Sequence, residues 1–431
     1  MVYPLFCRKF AAIYTPWRFP HKDNDREGKK IVQKKPYELN GYVEFRYDRF
    51  RLNNSGAQYQ LNNYLAPRVN LERTTALFKP SGKMRSGDFT LNARAHVEFQ
   101  HDTVDSARTG RFDELYASYK PQPGFTLDAG KTALKWGKGY AWNPVGFVER
   151  LKDPNDPELA REGFTALSAD FIRNFDGLLQ TVAFTPVLLP ARSHLNGDFG
   201  QPGHNNVAAK LYLLYRDTDI DFMFLSKGSR TRRVGVDFSR NVTSNLEVHG
   251  EWARVEDVQR RVTDAAGNVT ASVANAHSYL LGVRYLTERE ATLIAEYYRN
   301  GGGYGDSELR GFYQLADSAY RQFLATGVTA PLQRTQNLSQ SGYGRPNAGR
   351  NYFYLRASQK EPFDILYFTP SVTLIANLND RSVSVAPEML YTGITNVELR
   401  LRTFFLSGSN YTEFGEKQNR RRLELMVRLY F

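Results

Sequence analysis

Apolar and polar side chains alternate strictly along most of the chain. In residues 89–100, six apolar side chains (Phe89, Leu91, Ala93, Ala95, Val97 and Phe99) alternate with six polar ones. A period of two is typical of a β-strand with one apolar and one polar face. Similar segments recur at 41–49, 115–119, 125–133, 207–215, 220–224, 234–238, 246–252, 279–285, 293–299, 353–357, 372–378, 383–389, 397–405 and 422–431, with weaker candidates at 68–78, 164–175 and 177–187.

The connections between these segments alternate in length. Short turns are predicted at 121–124, 175–177, 216–218, 240–245, 287–290, 361–364 and 392–395. Long connections are predicted at 51–67, 101–111, 135–163, 188–204, 255–276, 300–349 and 406–418. A membrane barrel with short periplasmic turns and long extracellular loops has this alternation. We therefore predict an all-β fold over residues 38–431: a transmembrane antiparallel up-and-down β-barrel of about 18 strands, with both of its ends in the periplasm.

The composition excludes a helical membrane protein but not a barrel. The chain is 41% apolar and its mean hydropathy is −0.51. A membrane helix needs about 20 apolar residues, and the richest stretch, 181–191, is interrupted by Pro186 and Pro190. A soluble β-sandwich also alternates, but one soluble core of about 400 residues would exceed the usual domain size. A barrel with a wet interior therefore fits the low hydropathy better.

The first 37 residues differ from the rest of the chain. They carry nine basic and three acidic residues and so hold half of the formal net charge of +12. They show no regular placement of basic and stacking aromatic residues, which argues against nucleic-acid binding. Residues 1–19 also lack the continuous apolar region of a secretory signal. We expect residues 1–37 to be a basic, disordered tail, and the single cysteine, Cys7, excludes a disulfide framework.

The last segment carries the first resemblance to a known class. Leu423, Leu425, Val427 and Leu429 share one face, and the chain stops on an aromatic residue, Phe431. This strand resembles the recognition signal of bacterial outer-membrane proteins that the barrel-assembly machinery inserts. The resemblance implies that Phe431 is an assembly signal, that the partners include this machinery and outer-membrane lipid, and that the protein lies in the outer membrane of a Gram-negative bacterium.

A second resemblance covers about a quarter of the chain. It rests on the sequence from Asp128 to Lys131, the motif Trp136-Gly137-Lys138-Gly139-Tyr140-Ala141-Trp142-Asn143-Pro144, and Glu162 to Phe164. These segments are similar to porin-like proteins of the alginate-export kind, in which a strand ending in Trp-Gly leads into an Asn-Pro loop. The resemblance implies a channel.

Two of the long connections carry features of their own. The connection from Trp136 to Gly163 is rich in proline and charge, and long loops of this kind usually have a function. We predict a loop folded into the lumen as a constriction, with an external cap as the alternative, and name as its residues Trp136, Lys138, Trp142 and Asn143. In the 300–349 connection, helical spacing of apolar residues predicts an amphipathic helix over 307–324, capped by Asp306 or Ser307. We predict that this helix packs across the pore mouth, with binding of a partner as the alternative.

The sequence offers no clear catalytic or metal site. His96 and Glu98, and His249 and Glu251, lie two apart on predicted lumen faces, but the seven histidines show no zinc-binding spacing. We interpret both pairs as solvated lumen residues. The Gly137 and Gly139 pair lacks the spacing of a phosphate-binding loop. We predict no enzyme activity, no cofactor and no metal.

Alternation assigns eleven basic and fifteen acidic residues to the lumen. The predicted pore-lining residues are Arg46, Arg94, His96, Glu98, Lys210, Arg284, Arg356, Arg400, Arg402, Arg422 and Arg428. Mixed charge predicts weak ion selectivity, with any anion preference arising from the sector where the barrel closes (Arg46, Arg400, Arg402, Arg422 and Arg428) or from Lys131 and Lys138. The predicted function is passive passage of hydrophilic solutes, among them anionic ones. The alternatives are export of an acidic polysaccharide, a barrel enzyme and a structural barrel.

Overall fold

The structure, a computed structural model, describes residues 35–157, 159 and 161–431. It contains three α-helices, α1 (Ala57–Asn63), α2 (Asp306–Thr326) and α3 (Ala330–Leu338), a π-helical turn (Ser339–Tyr343) and a 3-10 turn (Pro362–Asp364). Its strands are β1 (Tyr37–Leu52), β2 (Asn70–Ser86), β3 (Phe89–Asp102), β4 (Ser106–Gln122), β5 (Phe125–Thr132), β6 (Phe164–Asn174), β7 (Leu179–Pro190), β8 (Asn205–Tyr215), β9 (Thr218–Leu225), β10 (Arg233–Asn241), β11 (Leu246–Thr263), β12 (Val269–Leu286), β13 (Ala291–Arg299), β14 (Asn351–Gln359), β15 (Phe368–Asn377), β16 (Val383–Ile394), β17 (Val397–Ser407) and β18 (Asn419–Tyr430).

The strands form one closed sheet. Each strand pairs with the next along the chain, and the last strand, β18, pairs with β1, always antiparallel. At this seam the backbone groups of Gly41 and Phe431 exchange two hydrogen bonds of 3.1 and 3.0 Å. A Cβ atom on Gly41 would lie 2.7 Å from both the carbonyl oxygen of Lys79 and the ring of Phe431, so only glycine fits there. The predicted antiparallel barrel of 18 strands is confirmed.

The two faces of the sheet differ as the alternation predicted. On β1, Phe45 is 51% exposed, whereas Glu44 and Asp48 are buried. On β18, Leu425 and Val427 are exposed, whereas Glu424 and Met426 are buried. Because every second residue of a strand points to the same side, the outer face of the barrel is apolar and the inner face is largely polar.

The two ends of the barrel differ in their connections. The end at which β1 begins and β18 stops, the short-turn end, has the connections 87–88, 123–124, 175–178, 216–217, 242–245, 287–290, 360–367 and 395–396. The opposite, long-loop end has 53–69, 103–105, 133–163, 191–204, 226–232, 264–268, 300–350, 378–382 and 408–418. Which end faces the periplasm stays a prediction.

Two of the predicted long connections are wrong. The predicted loop at 101–111 is a three-residue turn, 103–105, and the predicted loop at 255–276 is a hairpin with its turn at 264–268. In both places the backbone ladder continues where apolar alternation has stopped, as at Gln259, Arg260 and Arg261. Paired strands satisfy backbone hydrogen bonds whatever the side chains are, so the hairpins extend beyond the segment that the pattern reveals.

Helices cover part of the long-loop end. The predicted helix at 307–324 is confirmed as α2, although its cap is Gly305, whose backbone amide donates to Glu308 (2.7 Å), rather than Asp306 or Ser307. Leu309 and Phe312 of α2 pack with Leu61 of α1 in one apolar cluster. Among the described residues, no helix combines the length and the apolar character that a membrane crossing requires. The role of α2 at a pore mouth stays a prediction.

The predicted basic tail cannot be compared with the structure over most of its length. Residues 1–34 lie outside the described residues, and β1 begins at Tyr37, at the predicted boundary between tail and barrel.

Candidate functional site

The connection between β5 and β6, here called the inner loop (133–163), lies inside the barrel over its described residues, 133–157, 159 and 161–163. Although β5 and β6 are neighbours, the inner loop contacts strands far from both. Backbone amides of Gly139 and Ala141 donate to the carboxylates of Glu251 on β11 (2.6 Å) and Glu296 on β13 (2.9 Å). These carboxylates belong to the inner face of the sheet, so the inner loop crosses the lumen.

Buried carboxylates hold the backbone of the inner loop. Glu251 also accepts hydrogen bonds from the amides of Lys138 (2.7 Å) and Val145 (3.3 Å). Within the loop, Glu149 accepts from the amide of Trp136 and from the side-chain amide of Asn143 (3.2 Å). Each carboxylate satisfies backbone donors that would otherwise be buried without partners. The loop conformation is therefore fixed by side chains of the wall and of the loop itself.

The first part of the inner loop fills one side of the lumen. Trp136, Val145 and Phe147 pack against apolar residues of β6 to β9 and of β11 in one cluster. Trp142 stacks on Tyr298 of β13, with ring centroids 5.0 Å apart, and packs with Tyr352 and Tyr354 of β14. This side of the lumen is consequently a dry, packed core.

The four predicted constriction residues all lie in this packed part. Trp136 and Trp142 are buried, and Asn143 donates to the backbone carbonyl of Trp136 (3.2 Å). The ammonium of Lys138 lies 2.9 Å from the carboxylate of Asp221 on β9. These side chains position the loop, whereas most of its described later residues (150, 151, 153–156, 159, 161 and 162) border open space. Whether the four residues set the size of a pore stays a prediction.

Open space remains on the other side of the lumen. A cavity of about 700 Å³ lies between residues 150, 151, 153–156, 159, 161 and 162 of the inner loop and the inner faces of β1 to β4 and β15 to β18. Seven of the predicted pore-lining residues border it: Arg46, His96, Glu98, Arg400, Arg402, Arg422 and Arg428. The other four contact groups elsewhere on the inner face: Arg94 lies near Glu114 (2.9 Å), Lys210 near Asp221 (4.0 Å), Arg284 near the Tyr140 hydroxyl (3.3 Å) and Arg356 near Glu388 (3.2 Å).

Carboxylates compensate the arginines of the cavity wall. Arg428 lies 2.7 Å from Glu44, and Arg422 lies 2.8 Å from Asp48. Across the cavity, Arg400 reaches Asp156 of the inner loop (3.5 Å). Paired charges produce a much weaker field at a distance than isolated ones, and salt screens the remainder within about 8 to 10 Å.

The sequence prediction missed several residues that border the cavity. Lys79 pairs with the carboxylate of Asp113 (2.8 Å), and Arg111 contacts the same carboxylate (3.1 Å). From the inner loop, Arg150 and Arg161 also face the cavity. Arg150 and Arg161 lie in a long loop, where no pattern predicts the direction of a side chain. Arg111 and Asp113 could not be assigned to the inner face from alternation because a β-bulge in β4 interrupts it.

The interpretation of the histidines as solvated residues is wrong. His249 is buried, with its Nε2 atom 3.0 Å from Glu296, and Glu251 beside it is buried under the inner loop. His96 is also buried, 3.5 Å from Asp113. The inner loop covers His249 and Glu251, whereas His96 lies between Asp113 and Arg111 of β4 and borders the cavity. In the part of the chain that the structure describes, no cluster of three or more histidine, cysteine or acidic side chains is arranged to hold a metal ion.

Comparison with known proteins identifies the fold. No protein-family model matches the chain, and no curated protein sequence matches it. The structure is similar to the crystal structure of OccK5 (OpdH) of Pseudomonas aeruginosa, with a TM-score of 0.53 and 13% identity over 92% of this chain and 98% of that chain. It is also similar to the crystal structure of Pseudomonas aeruginosa OpdQ, with a TM-score of 0.54 and 10% identity over 92% and 99%. The resemblance to a porin-like barrel is confirmed for the fold; the alginate-export type is not.

Proposed function

We propose that this chain is an outer-membrane channel of a Gram-negative bacterium that lets hydrophilic solutes pass without an energy source. The observation that supports this most directly is the charged cavity enclosed by the barrel wall and the inner loop. An apolar outer face suits lipid, and a polar inner face suits water and solutes. The similarity in fold to OccK5 and OpdQ agrees with this proposal.

Charge at the cavity suggests a weak preference for anions. Basic residues outnumber acidic residues among those that border the cavity. However, Arg422 and Arg428 are each paired with carboxylates of β1. Lumen charge decides which ions a channel admits. We therefore propose weak anion selectivity rather than a strict filter.

Planar-bilayer recordings test both parts of the proposal. The purified chain should give ionic current, and reversal potentials under a potassium chloride gradient should show a small anion preference. Replacing Arg400, Arg402, Arg422 and Arg428 by glutamine should remove this preference. Absence of current would contradict a channel and favour an enzyme or a structural barrel. Strong anion selectivity that survives the four replacements would show that these residues do not line the path.

Export of an acidic polysaccharide is the finer hypothesis from the Trp136–Pro144 motif. Flux of labelled oligosaccharides into vesicles, compared with flux of small anions, would separate the two functions. Faster movement of acidic oligosaccharides than of neutral ones of equal length would favour polymer export.

A further inference from the structure

Two arginines face each other on the outside of the barrel at the seam. Arg51 of β1 and Arg421 of β18 are direct partners in the antiparallel register, and both are exposed. The guanidinium carbon of Arg421 lies 5.9 Å from the ring centre of Phe405, which is 42% exposed on the outer face of β17. The next residue, Arg422, points inward to Asp48. The side chains of Arg51 and Arg421 therefore lie on the outer face, although Arg421 also borders the cavity on its inner side.

These outer arginines lack the compensation that the inner ones have. Like charges directly opposite each other in a sheet are destabilising. Among the described residues, neither Arg51 nor Arg421 lies within ion-pair distance of a carboxylate. By contrast, Arg49, two residues before Arg51 and on the same face of β1, lies 3.7 Å from Glu72. The register shifts beside Arg51, so that Arg420 is an extra residue of a bulge, and it too is exposed and unpaired. Three exposed arginines at adjoining positions of the ladder thus have no carboxylate within ion-pair distance among the described residues.

The depth of this group along the barrel matches a membrane surface. Ten residue steps separate Arg421 from Phe431. At about 3.4 Å per residue and a strand tilt of about 40°, this distance spans roughly 26 Å across the membrane. The apolar band of outer-membrane barrels is about 25 Å tall. The outward residues in between are Leu423, Leu425, Val427 and Leu429. If Phe431 marks one boundary of the lipid core, Arg421 lies at the other, beside the long loops.

We propose that Arg51, Arg420 and Arg421 bind the phosphate of a phosphorylated glycolipid in the outer leaflet. Arginine binds phosphate through paired, charge-assisted hydrogen bonds. The leucine and valine side chains below would contact the acyl chains of the same lipid. This inference rests on the proposed outer-membrane location, with the long loops outside.

Native mass spectrometry of the full-length barrel in mild detergent tests the site. Diphosphorylated lipid A is the probe, and the same lipid without phosphate is its control. The Arg51→Gln/Arg421→Gln variant should retain the phosphorylated lipid roughly tenfold more weakly, because charge-assisted bonds to phosphate are lost. The matched control is Arg173→Gln/Arg216→Gln, two exposed arginines at the short-turn end. This control should retain the lipid as the parent chain does.

Four results would overturn the proposal. The first is equal retention by the parent chain and the Arg51→Gln/Arg421→Gln variant, and the second is equal retention of the lipid with and without phosphate. The third is a change in oligomeric state of that variant without lipid, which would make the surface an interface between copies. Binding of inorganic phosphate as tight as that of the lipid would also assign the site to a free anion. Bilayer current in the same preparations keeps this test separate from that of the channel, since Arg51 does not border the cavity and the guanidinium of Arg421 lies over Phe405 on the outer face.

Discussion

The backbone amide of Gly139 donates a 2.6 Å hydrogen bond to the carboxylate of Glu251, which lies 112 positions further along the chain. The backbone of Gly139 is also packed tightly between Trp142 of the loop and Leu280 of the wall. A Cβ atom on Gly139 would lie 2.2 Å from the carbonyl oxygen of Trp142 and 2.9 Å from a methyl carbon of Leu280. The inner loop is therefore seated against the wall with no space for a side chain at this position.

Replacing Gly139 by alanine should displace the inner loop. The added methyl group would overlap a backbone oxygen, which cannot move away as a flexible side chain could. We expect altered single-channel conductance and a loss of about 1 to 3 kcal/mol in the free energy of unfolding. Gly110→Ala is the control, because a Cβ atom there meets nothing within 4 Å. Identical conductance of the two variants would contradict a role of the loop in the path.

The Glu251→Gln variant should loosen the same loop. Three backbone amides donate to the carboxylate, and the amide group of glutamine would place its own donors against some of them. Leaving buried donors unsatisfied costs about 1 to 3 kcal/mol, measurable by denaturant unfolding in micelles. Larger current fluctuations should accompany this loss. Glu98→Gln, which removes only a 3.6 Å contact with His96, should change stability less.

Acid should release a contact between two long loops. Arg150 donates a hydrogen bond to Asp198, and this bond holds the pKa of Asp198 below its ordinary value of 3.8. Because the folded-state pKa is the lower one, the pair stabilises the fold above pH 3.8, and this stabilisation is lost as the pH falls through the folded-state value. The difference in melting temperature between the parent chain and Asp198→Asn should therefore vanish at low pH. A difference that persists at pH 2 would show that the charge of Asp198 is not its cause.

An arginine introduced on the outer face should lower folding stability more at the middle of a strand than near its end. On β3, Ala95 lies between the outward aromatic residues Phe89 and Phe99, and Leu91 lies near the short turn. We expect Ala95→Arg to lower folding stability by about 2 to 4 kcal/mol, and Leu91→Arg by less. Asn92→Arg, on the inner face, is the control and should be tolerated. Equal folding yields for Ala95→Arg and Asn92→Arg in micelles would contradict the assignment of faces.

Deleting Phe431 should slow insertion into the membrane with little change in the finished barrel. Phe431 exchanges two backbone hydrogen bonds with Gly41 and stacks on Phe78, with ring centroids 6.0 Å apart. Phe431→Tyr keeps these interactions and is the control. Pulse-labelled assembly in cells measures the rate. An unchanged rate in the deletion variant would remove the support for an assembly signal.

The local alternation of apolar and polar residues was sufficient to predict most of the strands. The alternation over residues 89–100 predicted β3, which runs from Phe89 to Asp102, because side-chain direction in a strand depends only on sequence position. The bulge opposite Arg94 and Ala95 breaks this rule: Glu114 pairs with Arg94 and Phe112 with Ala95, so one residue of β4 has no partner. Asp113 and Arg111 turn inward as a result. No feature of the local sequence indicates that β4 has an extra residue at this point.

The candidate site was less predictable because its contacts are distant in sequence. Glu251 could be assigned to the inner face from alternation alone. That it is buried, however, follows from Gly139 and Val145 of the inner loop, more than a hundred residues away. The choice between an inward and an outward loop depends on such contacts, so the sequence left both open.

The seam between β1 and β18 governs the order of events in folding. Arg428 and Glu44 meet there across 384 positions of the chain, a far greater separation than in any hairpin of neighbouring strands. Contacts between residues so distant in sequence form slowly. Until β18 arrives, β1 therefore presents an unpaired strand edge, the kind of surface at which chains aggregate.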